Sequence, residues 1–196
     1  MYDFLSYRLI RTEDAQLLMG WRTSPTVAKN MFTEIERNLN RQIEWIESCN
    51  RRTDFKHRII RIENNDVGYC SIKVTNPLLK IGELGVYIGD PSTPRELSIY
   101  NFLGTANHAL FTMGLKKLVN QILDHNDRTL RLQAFNGYLP VGTKKGEPNE
   151  LGYCPTIHSF ELTRERWHEF RNKFGYYKDW DGNLTGIEQR NQEGKS

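Results

Sequence analysis

The stretch that decides the fold is Gly82-Glu83-Leu84-Gly85-Val86-Tyr87-Ile88-Gly89-Asp90-Pro91. It predicts a strand that runs directly into the turn before a helix. Glycine is unfavourable inside a strand, because it has no side chain to pack and loses much conformational entropy on folding. Three glycines nevertheless interrupt this strand, and such glycines mark a bulge or the close approach of a ligand or another backbone. An irregular edge strand is the alternative that this stretch alone leaves open.

The turn after this strand carries the pattern of a helix start. Thr93, Pro94 at the first helical position and Glu96 three residues after Thr93 predict a capping box. The helix is predicted to run from Pro94 to Met113. Two interpretations stay open: the cap only prevents fraying, or the free N–H groups and the helix dipole bind a phosphate beside Arg95.

The remaining patterns surround this strand and helix with further strands and short helices, which predicts a mixed α/β sheet. The strand–helix–strand unit from Ile81 to Leu123 predicts one parallel crossover. The other predicted strands are Leu5 to Arg11, Lys56 to Glu63, Val67 to Thr75, Tyr138 to Thr143 and Thr156 to Thr163, and a helix is predicted from Asp127 to Phe135. We expect a single domain over residues 1–180 and a polar, flexible tail over 181–196.

Composition narrows the class of protein. The chain has 196 residues, 38% of them hydrophobic, which suits one domain with its own core. The formal net charge of +3 is too small to predict nucleic-acid binding, but it suits an anionic small molecule. The three cysteines show neither disulfide nor metal-ligand spacing, so we expect no metal. With no secretory signal and no apolar run near the ~20 residues of a membrane span, a cytoplasmic protein is expected.

Several motifs, in order along the chain, resemble those of the GCN5-related N-acetyltransferase (GNAT) superfamily. The opening Trp21-Arg22-Thr23-Ser24-Pro25-Thr26-Val27 resembles the branch of ribosomal-protein and nucleotide-amino-sugar acetyltransferases. The sequence Met31-Phe32-Thr33 resembles the amino-sugar members, including the pseudaminic-acid pathway enzyme. The stretch Glu83-Leu84-Gly85-Val86-Tyr87-Ile88 resembles the fourth family strand, and Asn126 with Gly137-Tyr138 resembles the fourth helix and the next strand. The resemblance covers about Leu5 to Thr163 and implies the GNAT fold, whose central sheet is mostly antiparallel.

The resemblance also implies acyl-CoA as co-substrate. The strand would receive the pantetheine amides as a sheet edge receives another strand, and an N–H group in the region of Val86 to Ile88 would polarise the thioester carbonyl. The pyrophosphate would lie on the N–H groups of Arg95 to Ser98. The implied cofactor-binding residues are Gly85, Val86, Tyr87, Ile88, Arg95, Glu96, Leu97, Ser98 and Asn126.

An amine acceptor must lose a proton before it attacks, and Glu83 is the predicted general base, acting through water. The alternative for Glu83 is a strand carboxylate paired with a surface cation. Gln133 occupies the slot where many family members have a tyrosine that protonates the thiolate, and glutamine cannot supply a proton. Tyr87 or Tyr138 could take that role. Besides Gln133, the chain differs from the family at a second place: Leu97 and Ile99 occupy loop positions that are glycine or alanine in the family.

The expected acceptor is a nucleotide-linked amino deoxysugar. Arg22 suits a diphosphate, since its planar guanidinium binds phosphate oxygens in pairs. Phe32 or Trp21 could stack on a nucleobase or cover the sugar, with Met31 beside them, and core packing is the alternative for Trp21. The leading hypothesis is therefore N-acyl transfer of acetyl, or of a larger group such as hydroxybutanoyl. The alternatives are a protein N-terminal acetyltransferase and a non-catalytic acyl-CoA-binding module, and a homodimer is an oligomeric state that the sequence leaves open.

Overall fold

A computed structural model describes residues 4–148 and 152–186. Its centre is a seven-stranded sheet in the order β1-β2-β3-β4-β5-β7-β6, in which β4 and β5 are parallel and every other neighbouring pair is antiparallel. The predicted mixed α/β fold with one parallel crossover is confirmed. The strands are β1 (Leu5–Arg8), β2 (Phe55–Ile62), β3 (Asn65–Asn76), β4 (Ile81–Ile88), β5 (Lys117–Leu123), β6 (Leu139–Lys145) and β7 (Thr156–Thr163).

Helices cover both faces of the sheet and divide its core into two clusters. They are α1 (Ala15–Arg22), α2 (Pro25–Ala28), α3 (Leu39–Arg51), α4 (Leu103–Asn107), α5 (Asp127–Phe135) and α6 (Arg164–Phe170). The larger cluster joins α4 and α6 to the sheet through side chains such as Leu103, Leu118 and Trp167. The smaller cluster joins α1 and α3 through Leu18 and Ile46. No helix in the described ranges is long and apolar enough to cross a bilayer.

The helix after β4 is less regular than its sequence predicts. Arg95–Phe102 is a 3₁₀ helix, α4 follows, and His108–Thr112 closes the unit as a π-helical turn. The predicted capping box is wrong, because the Thr93 hydroxyl donates to Asp90 Oδ2 (3.2 Å) and Pro94 occupies the cap position without a side-chain bond. The spacing of apolar residues in this segment predicts a helix but does not distinguish a 3₁₀ helix, an α-helix and a π-helix, whose hydrogen bonds span three, four and five residues.

The packed part of the chain extends past the predicted domain boundary at residue 180. Trp180 is buried, and its indole N–H donates to Thr105 Oγ1 (3.1 Å). Thr185 is also buried and accepts a hydrogen bond from the Arg171 guanidinium (3.1 Å). Residues 181–186 of the expected tail therefore pack on the domain, and residues 187–196 lie outside the described residues.

One glycine after β4 is required by the contact between α1 and the sheet. A Cβ atom on Gly89 would lie 2.1 Å from Cγ of the buried Trp21 ring, so the ring and the backbone can meet only if this residue is glycine. We expect Gly89→Ala to lower the free energy of unfolding by roughly 1–3 kcal/mol, the usual cost of overpacking a core. Denaturant unfolding measures this cost.

The matched control is Gly20→Ala in α1, where an added Cβ meets nothing within 4 Å. Alanine favours helix over glycine, so this change should be neutral or slightly stabilising. Equal stability of the two variants would contradict the packing of Trp21 on Gly89.

Candidate active site

The central feature of the site is the separation of β4 from β5. The two strands pair only where Ile81–Glu83 face Lys117–Val119. Beyond Glu83 they diverge, and a cavity of about 890 Å³ lies between them and continues under α1 and α3. Residues of β4, β5 and α5 form its wall on one side, and residues from α1 to α3 form the other.

The backbone of β4 presents alternate residues to this cavity. The Gly89 N–H donates to Val67 O (2.9 Å), on the side of β3, whereas the Leu84 N–H donates in the opposite direction to Asn120 Oδ1 (3.4 Å) of β5. Because successive N–H groups of a strand alternate in direction, Gly85 and Tyr87 pair with β3. The N–H and C=O groups of Val86 and Ile88 therefore face the cavity, where no strand in the described residues pairs with them. This open edge can receive one more extended chain.

A chain of amide side chains lines the point where the strands separate. Asn120 accepts the Leu84 N–H and donates through Nδ2 to Gln133 Oε1 (3.5 Å). Both side chains are buried, and both line the cavity. Asn126, at the start of α5, accepts the Thr129 N–H (3.3 Å) and lines the cavity as well. The structure thus brings Gln133 and Asn126 to the open edge.

Glu83 lies at the inner end of the open edge. Its side chain shares a sheet face with Tyr87, lines the cavity and is half-buried. Lys73 of β3 is its register partner, but among the described residues no salt bridge involves Glu83. A carboxylate in this position can take up a proton from a group bound in the cavity.

The two tyrosines considered as proton donors lie in different places. Tyr87 lines the cavity and stacks on Tyr69, with ring centroids 5.2 Å apart. Burial raises the pKa of Tyr87, so its hydroxyl stays protonated. Tyr138 lies in the larger core cluster, where burial likewise raises its pKa. Of the two, Tyr87 has access to a bound molecule.

The opposite wall contains most of the residues predicted for the acceptor. Arg22, Met31 and Phe32 line the cavity, and Phe32 is 53% exposed. The Arg22 guanidinium donates to the Thr33 carbonyl and to Thr33 Oγ1 (3.1 Å). Burial lowers the pKa of Arg22 from its ordinary value, but arginine remains charged at neutral pH.

Trp21 is a correction to the predicted site. It is only 7% exposed and packs in the smaller core cluster against Gly89. Its spacing in α1 turns it toward the sheet, whereas its neighbour Arg22 turns toward the cavity. Trp21 therefore cannot stack on a ring bound in the cavity, and only other aromatic side chains on the cavity wall could do so.

The sequence patterns did not single out several residues that the fold brings to the cavity wall. Trp45 is 37% exposed and lies beside Tyr69 at a centroid distance of 6.3 Å. Arg41 lines the cavity and forms a salt bridge with Glu36 (2.5 Å). Asn120 could have been found from the sequence, because it is a polar residue in the apolar pattern of β5. Nothing in the local sequence of α3 indicates that Trp45 lines the cavity.

The predicted pyrophosphate cradle differs from the expectation. The described cavity wall reaches Asn101 and Phe102 but includes neither Glu96 nor Leu97. Because this segment is a 3₁₀ helix, the Leu97 N–H donates to Pro94 O (3.1 Å), and in the same pattern the Ser98 N–H is used within the helix. Of the N–H groups predicted to bind the pyrophosphate, those of Arg95 and Glu96 are not used by these hydrogen bonds within the helix. The side chain of Leu97 packs on the core. The side chains of Arg95 and Ser98 lie outside the described part of the structure.

Comparisons with known proteins identify the fold. No protein-family profile matches the chain. In sequence, an uncharacterized protein of Methanocaldococcus jannaschii is 28% identical over 148 residues, 74% of this chain. The match spans only 30% of that longer protein.

Solved structures that are similar to this chain include acetyltransferases. The spermidine N-acetyltransferase of Vibrio cholerae, in complex with CoA and spermine, superposes with a TM-score of 0.75 at 13% identity, over 84% of this chain and 98% of that chain. A dodecameric form of the same enzyme superposes with a TM-score of 0.71 at 11% identity, over 84% and 96% of the two chains. The chain therefore has the GNAT fold, as its sequence predicts.

Proposed function

We propose that this chain is an N-acyltransferase that uses acyl-CoA. The observation that carries the proposal is the open edge of β4, where Val86 and Ile88 face a cavity that has Glu83 at its inner end. The pantetheine arm of CoA is an extended chain with two amide groups, and such a chain adds to a sheet edge as another strand would. The presence of CoA in a structure of the same fold supports this assignment.

The proposed reaction is direct attack of an amine on the thioester. The amine nitrogen bonds to the carbonyl carbon, and an N–H group of Val86 or Ile88 stabilises the negative charge that develops on the oxygen. Glu83 receives the amine proton through water. The C–S bond then breaks, Gln133 can donate a hydrogen bond to the departing thiolate, and Tyr87 can protonate it.

The proposed acceptor is a nucleotide-linked amino deoxysugar. Among the described residues that line the cavity, the cations Arg22, Arg41, Lys73 and Arg128 outnumber the carboxylates Glu36 and Glu83. This excess of positive charge favours an anionic acceptor and disfavours a polyamine such as the spermine bound by the Vibrio cholerae enzyme. Phe32 and Trp45 add exposed aromatic surface for a base or a deoxysugar. The acyl group is acetyl or a larger one such as hydroxybutanoyl.

A matrix of donors and acceptors tests the proposal. Release of free CoA thiol is followed with acetyl-CoA and hydroxybutanoyl-CoA against a nucleotide amino sugar, spermidine and a peptide with a free N-terminus. The nucleotide amino sugar should give the highest kcat/KM. Preference for the peptide would instead support a protein N-terminal acetyltransferase, and CoA binding without turnover in any pair would support a non-catalytic module.

Replacing Arg22 should separate these acceptors. The loss of a charge-assisted hydrogen bond, worth about 1.5–3 kcal/mol, should raise the KM for the sugar nucleotide at least tenfold in Arg22→Gln. The KM for acyl-CoA should stay near that of the wild type. Arg131→Gln, at an exposed position of α5, is the control and should change neither constant. An unchanged KM for the sugar nucleotide in Arg22→Gln would contradict the assigned role.

A further inference from the structure

The loop between α2 and α3, residues 29–38, lies along the wall of the cavity. It contains no helix or strand, and most of its residues line the cavity. His125 donates through Nε2 to the Lys29 carbonyl (2.7 Å), which ties the start of the loop to the segment between β5 and α5. The later part of the loop is held by two arginines from neighbouring helices.

These arginines, Arg22 and Arg41, both line the cavity. Arg22 of α1 donates to the Thr33 carbonyl and to Thr33 Oγ1 (3.1 Å). Arg41 of α3 forms a salt bridge with Glu36, with 2.5 Å between Nη1 and Oε2. Since an extended chain rises by at most ~3.6 Å per residue, Thr33 and Glu36 are no more than about 11 Å apart. The loop therefore brings the two guanidinium groups to neighbouring parts of the same wall.

The pair of Arg41 and Glu36 is exposed, with 72% and 58% of the two side chains accessible to solvent. Exposed pairs contribute little to stability, because water screens them and ordering long side chains costs entropy. Arg41 also lies in the first turn of α3, where the helix dipole favours negative charge and where no residue is acidic. The Glu36 carboxylate therefore lies where an anionic ligand would be stabilised, and it can be exchanged for one.

We propose that Arg22 and Arg41 together bind the diphosphate of the acceptor, and that Glu36 occupies the Arg41 part of this site until the acceptor binds. This assignment rests on the proposed function and narrows the acceptor to compounds with two adjacent phosphate groups. Each planar guanidinium group can bind phosphate oxygens with a pair of N–H groups. A monophosphate can be held by Arg22 alone, whereas a diphosphate gains a second arginine when it displaces Glu36.

The experiment is a calorimetric titration of the full-length protein with the diphosphates UDP and GDP and with the monophosphates UMP and GMP. CoA is kept at a saturating concentration, so that the diphosphates do not occupy the proposed donor site. We expect the diphosphates to bind more tightly than the monophosphates. Arg41→Gln should weaken diphosphate binding about tenfold and reduce this preference. Glu36→Gln should instead tighten diphosphate binding about two- to fivefold, because an exposed salt bridge no longer competes.

Asp54→Asn is the matched control for Glu36→Gln. Asp54 forms a similar exposed salt bridge with Arg52 (2.7 Å), and neither residue is among the described residues that line the cavity. Both substitutions remove one negative charge, so Asp54→Asn should leave the Kd for the diphosphates unchanged if the effect of Glu36 is local. In the Arg41→Gln background, Glu36→Gln should have little effect, whereas simple repulsion of the ligand by Glu36 would persist there.

Failure of this assignment and failure of the proposed function give different results. If UDP and GDP bind and Arg22→Gln weakens them, but neither Arg41→Gln nor Glu36→Gln changes their Kd, the assignment is overturned and the acceptor class stands. Equal effects of Asp54→Asn and Glu36→Gln would also overturn it. If the wild-type protein binds neither UDP nor GDP, the nucleotide-linked acceptor and the two-arginine site are both wrong.

Discussion

Replacing Val86 by proline should lower kcat/KM about 10²–10³-fold while the protein stays folded. Proline has no N–H group, so the change removes one donor from the open edge, and loss of an oxyanion donor has an effect of this size. The substitution suits the backbone, because this N–H pairs with no described strand and because the preceding residue, Gly85, has no Cβ to clash with the proline ring. Steady-state kinetics and thermal unfolding of the same preparation measure both effects.

The neighbouring position provides the matched control. Tyr87→Pro removes an N–H group that faces β3, in the interior of the sheet, and we expect it to unfold or strongly destabilise the protein. Wild-type kcat/KM in Val86→Pro, or equal destabilisation by both substitutions, would show that the assigned direction of the β4 edge is wrong.

Replacing Glu83 by glutamine should lower kcat about 10²–10⁴-fold, the usual contribution of a general base. The affinity for CoA should not change, since glutamine has nearly the same size and the donor is proposed to bind along the β4 backbone. The deficit should narrow as the pH approaches the pKa of the acceptor amine, because a growing fraction of the amine then needs no base. Pre-steady-state and steady-state rates across this pH range provide the measurement.

Glu161 is a suitable control for this substitution. It is a strand carboxylate of β7 that forms a salt bridge with Lys117 (2.8 Å). Glu161→Gln should leave kcat near the wild-type value. If Glu83→Gln retained full turnover, Glu83 would not be the base, although acyl transfer along β4 could still hold.

Local signals in the sequence were sufficient to predict several elements. Helix α5 and strand β7 have the predicted limits, Asp127–Phe135 and Thr156–Thr163. Each has a clear boundary signal, such as Asn126, which caps α5 by accepting the Thr129 N–H. The glycines between Gly82 and Gly89 likewise predicted the close approach of a ligand or another part of the chain, and Gly89, directly after β4, packs against Trp21.

Features that depend on tertiary structure could not be predicted in this way. The separation of β4 from β5 depends on how two distant segments of the chain pack together. The local sequence signal for it is Asn120, a polar residue in the apolar pattern of β5. The segment between Arg95 and Thr112 contains 3₁₀ and π-helical turns, and its ends make tertiary hydrogen bonds that apolar spacing does not reveal: the Thr93 hydroxyl donates to Asp90 and the Thr112 hydroxyl donates to Asp179. The acceptor wall combines Arg22 with Trp45 of α3, and sequence spacing does not place these two together.

The measurement that tests the central claim most directly is the backbone amide spectrum of the protein as CoA is added. The open edge of β4 predicts an alternating response: the amides of Val86 and Ile88 should shift strongly and become protected from hydrogen exchange. The amides of Gly85 and Tyr87, which face β3, should change little. Binding of CoA without this alternation, or no binding at all, would contradict the assignment of β4 as the donor site.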